Sequence, residues 1–317
     1  MSSGRRLTIV LTLFVLGLGL SFALQRGATA ERPVSGQGGP TAGARLPQRL
    51  VTLAPSMTEL VFALGAGDRV VAVGDFCFHP PEATARPRAG GEFNPNLEHV
   101  LALKPDLIVL QGEAEKVAAF ARRYGIRVLR LPMDDLAQIY DSIATLGGAL
   151  GARPEAERLV ARLRLELATV AHRVAGRRRA KVFLCTGHRP GSLRALGSTG
   201  GHTFLSEILA VAGGDNILAD VRIPYPMVAK EDLVGRAPDV ILELRPPNAP
   251  GDGLADATRR QLLADWQRLP SLPAVRDGRI HILTDDFLLI PGSRMGRLAE
   301  RLAKALHPDA EGSHHGR

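Results

Sequence analysis

Aromatic side chains are scarce in this chain: one Trp, three Tyr and ten Phe among 317 residues. Any aromatic on a loop is therefore conspicuous. Cysteine is rarer still, limited to Cys77 and Cys185. No Cys or His pair has the close spacing with which one helix or hairpin supplies metal ligands, which excludes a ready-made zinc module. Catalytic signatures are missing too. There is no Gly-x-Ser-x-Gly elbow and no His-Glu-x-x-His. GSTGGH at 197–202 lacks both the dinucleotide glycine spacing and the Lys-Ser/Thr of a nucleotide loop. The loop acids Glu113, Asp134, Asp285 and Asp286 have no evident partner base, so neither an enzyme nor a cofactor is expected. The net charge of +8 comes mostly from arginines scattered over helices, with one run at Arg177-Arg178-Arg179. Without basic residues concentrated beside stacking aromatics, a nucleic-acid partner is excluded.

What is present begins with an export signal. Arg5-Arg6 precede an apolar run from Leu7 to about Leu24, and Ala28-Thr29-Ala30 is a small-residue cleavage pattern. Residues 1–30 are a signal peptide or, since the run is long enough to span a bilayer, an N-terminal anchor. No Cys follows, which excludes lipoprotein processing. Residues 31–47 have a linker's composition, and everything after them is expected outside the cytoplasmic membrane.

The organising element is the stretch from Arg153 to Arg177. Leu159, Leu163, Leu167, Val170 and Val174 recur at helical spacing, Pro154 suits a first turn, and Gly176 closes the pattern. On either side of it, short apolar strands alternate with helices: RLVTLAP, VVAVGDF, DLIVL and IRVLRLP before it, KVFLCTG, DVILELR and RIHILTDD after it. Such patterning predicts an α/β fold of two similar lobes with mainly parallel sheets, joined by one long helix and separated by a ligand cleft. The lobes are expected at 48–152 and 178–307, with a tail at 308–317. A capping box is expected at Ser56-Met57-Thr58-Glu59. The halves also repeat. Glu98 to Pro105-Asp106 and Glu231 to Pro238-Asp239 are equal steps, and Glu59 with Gly67-Asp68 matches Glu207 with Gly214-Asp215 to within one residue. Ligands of open α/β sheets bind beyond the strands' carboxyl ends, here the loops around 54–58, 76–81, 111–115 and 132–135 in one half and 186–191, 223–227, 245–253 and 285–294 in the other.

RLVTLAPSMTELVFALGAGDRVVAV, LEHVLALKPDLIVL, FLSEILAVAGGDNI and RIPYPMVAKEDLVGRAPDVIL, in that order over about residues 48–307, resemble the helical-backbone periplasmic receptors for cobalamin and iron complexes. Those receptors are the substrate-binding subunits of ABC importers. The resemblance implies a monomer that captures a corrinoid, haem or ferric siderophore and delivers it to a permease dimer. It implies that Glu98 and Glu231 meet permease arginines, and their outward placement on equivalent short helices agrees. For a metal complex, which needs apolar floor and polar clamps, the candidates are Met57, Phe76, Phe78 and Phe93 in the first half. The second half offers His188, Tyr225, Arg245, Phe287 and Arg294. Tyr225 stands where similar cobalamin receptors carry an aromatic, and Arg294 lies in the family's Pro-Gly-x-Arg turn. His79 and His188 are weaker candidates to ligate the metal. Trp266 is expected on a surface helix, so Phe and Tyr must do any stacking. A Cys77–Cys185 disulfide is permissible outside the cytoplasm but would staple the cleft, so free thiols are expected. An anchored metallophore or haem chaperone without a transporter, and an envelope enzyme, are the alternatives.

Overall fold

The computed structural model describes residues 45–309. The expected signal or anchor at 1–30, most of the 31–47 linker and most of the 308–317 tail lie outside them. Among the described residues, no helix is long and apolar enough to cross a membrane.

The first half runs β1 (Leu50–Thr52), α1 (Pro55–Ala63), β2 (Val70–Val73), α2 (Leu97–Ala102), β3 (Leu107–Gln111), α3 (Glu115–Arg123), β4 (Arg127–Leu131) and α4 (Leu136–Leu150). Then comes the long helix α5 (Arg153–Arg173). The second half runs β5 (Ala180–Cys185), β6 (Leu196–Gly197), α6 (Phe204–Val211), β7 (Gly214–Asn216), β8 (Met227–Val228) and α7 (Lys230–Arg236). It closes with β9 (Val240–Leu244), α8 (Asp256–Gln267), α9 (Pro273–Arg276), β10 (Ile280–Leu283) and α10 (Met295–Leu306).

Two four-stranded sheets result, ordered β2-β1-β3-β4 and β7-β5-β9-β10. Every pairing within them is parallel. Taken in chain order, the two sheets share one topology: the opening strand sits second, flanked by its successor on one side and the third strand on the other. A two-stranded antiparallel ribbon, β6 with β8, is the addition peculiar to the second half.

Alternation along the strands explains how each sheet serves two cores. Leu107 and Val109 of β3 belong to the central cluster, whereas Ile108 and Leu110 pack with Val117 and Ala121 of α3. In the second sheet Val240, Leu242 and Leu244 face the central cluster, while Ile241 packs with Phe183 and Trp266. The central cluster is continuous across both halves and includes α4, α5, α6 and α10. Ala156, Leu159, Leu163, Leu167 and Val170 are the buried stripe of α5, as the spacing predicts. The helix stops at Arg173, short of the expected Arg177, because Gly176 turns the chain at φ +75°. Helix α4 packs along α5, and Gly147 permits the approach: a Cβ there would meet the Ala156 Cβ at 2.4 Å.

The capping box is corrected. Helix α1 opens on Pro55 after Ala54 with no side-chain cap. Ser56 Oγ donates instead to Gln111 Oε1, and Glu59 is drawn to a partner in the other half.

The stripe's energetics are testable. Leu163→Ala, at a wholly buried position between the halves, lowers unfolding stability by about 2–5 kcal/mol in a urea titration. Leu165→Ala, on the outer face of the same helix at 69% exposure, leaves stability within about 0.5 kcal/mol.

Candidate ligand-binding cleft

The carboxyl ends of both sheets converge on a cavity of about 350 Å³. From the first half, the start of α1 supplies Pro55 and Glu59, and the loop after β2 supplies Phe76, Phe78 and His79. From the second, the loop after β9 supplies Pro246, Pro247, Asn248, Ala249 and Pro250, and the loop after β10 supplies Asp286, Leu289, Ile290 and Arg294. Phe76 is 57% exposed, with its side chain on the cavity wall. The Phe78 ring lies 5.3 Å from the Arg88 guanidinium, which holds it in the wall.

Beneath the cavity lies an ion pair between the halves. Arg294 Nη2 is 2.6 Å from Glu59 Oε1, with Arg294 only 7% exposed and Glu59 2%. Ser293 Oγ donates to the same carboxylate at 3.1 Å. The outer edge of the guanidinium faces Asp286, whose oxygens lie 2.7 and 2.8 Å from Nη1 and whose side chain is 48% exposed at the cavity. Burial, reinforced by the charge of Arg294, lowers the pKa of His79, so its imidazole is neutral at neutral pH and keeps a lone pair to offer.

A second cross-link mirrors the first. Glu207 on α6 accepts from Leu136 N at the start of α4 at 2.7 Å, and its pKa is raised, chiefly by burial. Phe204 N donates to Asp134 O beside it. Thus the early helix of each half carries a glutamate that binds the start of the other half's last helix. That matches the Glu59–Glu207 equivalence read from the sequence, although neither residue stands among the expected site residues.

Several expected ligand residues lie elsewhere. Met57 is wholly buried in the central cluster because α1 is covered on nearly every side. Phe287 is 4% exposed and packs against the Arg294 and Arg297 guanidinium groups. Arg294 does reach the cavity wall, but its donors are already committed to Glu59 and Asp286. His188 and Arg245 belong to a polar cluster beneath α8. His188 Nδ1 lies 3.1 Å from Glu243 Oε1, and Nε2 lies 3.2 Å from Asp265 Oδ2. Arg245 pairs with Glu243 at 2.6 Å, and Trp266 Nε1 donates to Glu243 Oε2 at 2.7 Å. Trp266 is therefore a buried residue, not a surface one, and its ring meets that of His188 edge-on at 5.2 Å. Burial of His188 opposes its charge, but the flanking Glu243 and Asp265 carboxylates outweigh it and raise the pKa.

Phe93 and Tyr225 are 90% and 55% exposed. Burial of its hydroxyl and the Asp134 carboxylate raise the Tyr225 pKa. Glu98 and Glu231 are exposed on α2 and α7, the latter 3.8 Å from Lys230. The cysteines are free and buried, and burial pushes the Cys77 thiol up to about 11. In the GSTGGH loop the glycines permit close backbone packing: Cβ atoms on Gly200 and Gly201 would meet Ile223 O at 2.3 Å and Ala219 O at 2.0 Å. The loop expected at 245–253 does line the cleft, through Pro246, Pro247, Asn248, Ala249 and Pro250, none of which stood among the expected ligand residues.

Two like lobes, a connecting helix and a cleft at the strand tips define a two-lobed binding protein, and the chain belongs to the periplasmic binding protein family, whose sequence profile matches residues 50–287. Among its relatives, the vitamin B12-binding protein of Yersinia pestis (strain Pestoides F) is 31% identical over 204 residues, covering 64% of this chain and 71% of that one. A periplasmic haem-binding protein from Pseudomonas aeruginosa superposes with a TM-score of 0.72 at 28% identity, over 83% of this chain and 94% of that one. The periplasmic vitamin B12-binding protein of Vibrio cholerae gives 0.68 at 25%, over 84% and 98%.

The ion pair makes a stability prediction. Arg294→Ala strands the Glu59 carboxylate in the interior and lowers unfolding stability by about 3–5 kcal/mol. Arg294→Met with Glu59→Gln, which removes both charges, recovers most of that loss in a urea titration. A single variant as stable as wild type contradicts the assignment.

Proposed function

We propose that this chain is the substrate-binding component of an ABC importer, and that it captures a metal-centred tetrapyrrole or chelate, a corrinoid, haem or ferric siderophore, outside the cytoplasmic membrane. The observation that carries the reading is the cavity where both sheets' carboxyl edges meet. It combines the exposed ring of Phe76, the wall ring of Phe78 and the neutral imidazole of His79. Flat apolar rings suit a macrocycle's face, and a neutral imidazole suits a cobalt or iron centre. The B12- and haem-binding relatives support the same ligand class. Phe93 and Tyr225, exposed and on opposite halves, extend the apolar surface available to a bulky ligand.

Nothing in this reading requires covalent chemistry. Ligand enters between the lobes, is held by contacts from both, and is released once the loaded protein docks on the permease. Glu98 and Glu231 serve that docking. They are solvent-facing carboxylates at equivalent positions of a duplicated fold, which suits a two-fold symmetric permease, and their charges set register and encounter rate.

Purified protein titrated with cyanocobalamin, haemin and a ferric siderophore, followed by absorbance, tests the ligand class. One of the three binds, and Phe76→Ala weakens that binding by about 0.5–1.5 kcal/mol. Failure of all three to bind contradicts the proposal. Glu98→Ala with Glu231→Ala leaves ligand affinity unchanged and reduces uptake by permease-containing vesicles, and undiminished uptake removes both residues from the docking role.

A further inference from the structure

The cluster beneath α8 is a poor fit to a purely structural role, because buried charges are expensive and apolar packing usually serves stability as well or better. Its construction is also that of a ligand set. Cys185 ends β5 and Glu243 is its direct register partner on β9, so the two side chains stand side by side on one rigid sheet face. His188 returns over them from the following loop. Donor atoms of Cys185, His188 and Glu243, all buried, lie within 4.8 Å of one another. His188 has no exposed side-chain surface, and its Nδ1 makes no aligned hydrogen bond although it lies 3.1 Å from Glu243 Oε1.

We propose that Cys185 Sγ, His188 Nδ1 and a Glu243 carboxylate oxygen form a binding site for a zinc-class divalent cation, separate from the ligand cleft. The mixed sulfur, nitrogen and oxygen donors suit a borderline ion rather than Mg²⁺ or Ca²⁺. The groups around the donors hold them as outer partners hold metal ligands. Asp265 Oδ2 takes the far ring nitrogen of His188 at 3.2 Å and is itself fixed by Gly191 N at 2.7 Å, while Gln261 Nε2 binds its other oxygen at 3.0 Å. Trp266 and Arg245 orient the two oxygens of Glu243, and Oε2, with Trp266 as its one donor, keeps a lone pair.

The donor set also matches the ion in charge: with Cys185 bound as the thiolate and His188 through a neutral Nδ1, the thiolate, the Glu243 and Asp265 carboxylates and Arg245 together balance two positive charges. A surface cavity lined by Gly191, Arg194, Lys230 and Arg268 adjoins the cluster, with Arg268 Nη1 3.9 Å from Asp265 Oδ1.

Cobalt(II) is the probe, added to chelator-treated protein. One equivalent binds with a thiolate-to-cobalt charge-transfer band in the near ultraviolet. Cys185→Ser abolishes the band, Cys77→Ser keeps it, and Asp265→Asn weakens affinity about 10–100-fold. No such band in wild-type protein, or a band that survives Cys185→Ser, overturns the proposal. The thiolate band also separates this site from any cobalt held by His79 in the cleft. Should Cys185→Ser fail to fold, the wild-type melting temperature decides: it rises with Zn²⁺ and falls back on chelation, and an unchanged value overturns the proposal.

Discussion

The geometry of this protein depends on a carboxylate of one half buried against a guanidinium of the other. Glu59 and Arg294 lie 235 residues apart in sequence and meet with almost no solvent at the base of the cleft. Such a pair contributes little net stability, since desolvating both ions offsets much of their attraction. Its value is directional. Two nitrogens of Arg294 reach Glu59, so sliding or tilting one half against the other strands a charge in the interior. Apolar contacts along α5 tolerate small slips, and the ion pair does not. Glu207, holding the start of α4 from the other side, adds a second point of reference. Neither contact is made by α5 itself; the two together brace the halves that α5 connects.

Duplication explains why these contacts come as a pair. Both sheets place the opening strand between its successor and the third strand, and the helix after the opening strand carries the crossing glutamate in each half. The strand tips of both halves are thereby turned toward one another, and the loops that leave them meet at one cavity. The two halves line that cavity with different residues. The first half contributes aromatics and an imidazole, and the second contributes a stiff proline wall and Arg294, whose buried partner Glu59 comes from the first.

Much of the frame was legible in the sequence because it follows from periodicity. The α5 stripe, the continuous apolar strands and the equal Glu-to-Pro-Asp steps depend on spacing that one sequence displays. The cleft loops were legible too, since strand ends predict them. Side-chain direction was not. Met57 and Phe76 both belong to loops or helix starts at the strand tips, yet one is wholly buried and the other largely exposed. Nothing local separates them, because the difference lies in how α1 is covered by residues far along the chain. His188 and Trp266 were misplaced for the same reason: the packing of α8 over the second sheet is a long-range event. Arg294 was located at the right turn, but its partner Glu59 stands in the other half, where spacing gives no hint of it.

Rigid separation of the lobes is the central claim, and small-angle X-ray scattering of the protein with and without saturating ligand tests it most directly. The radius of gyration stays the same within error on binding if the strut and the crossing carboxylates hold the lobes apart. A pronounced contraction, of the kind produced by a hinge that swings shut, contradicts the account.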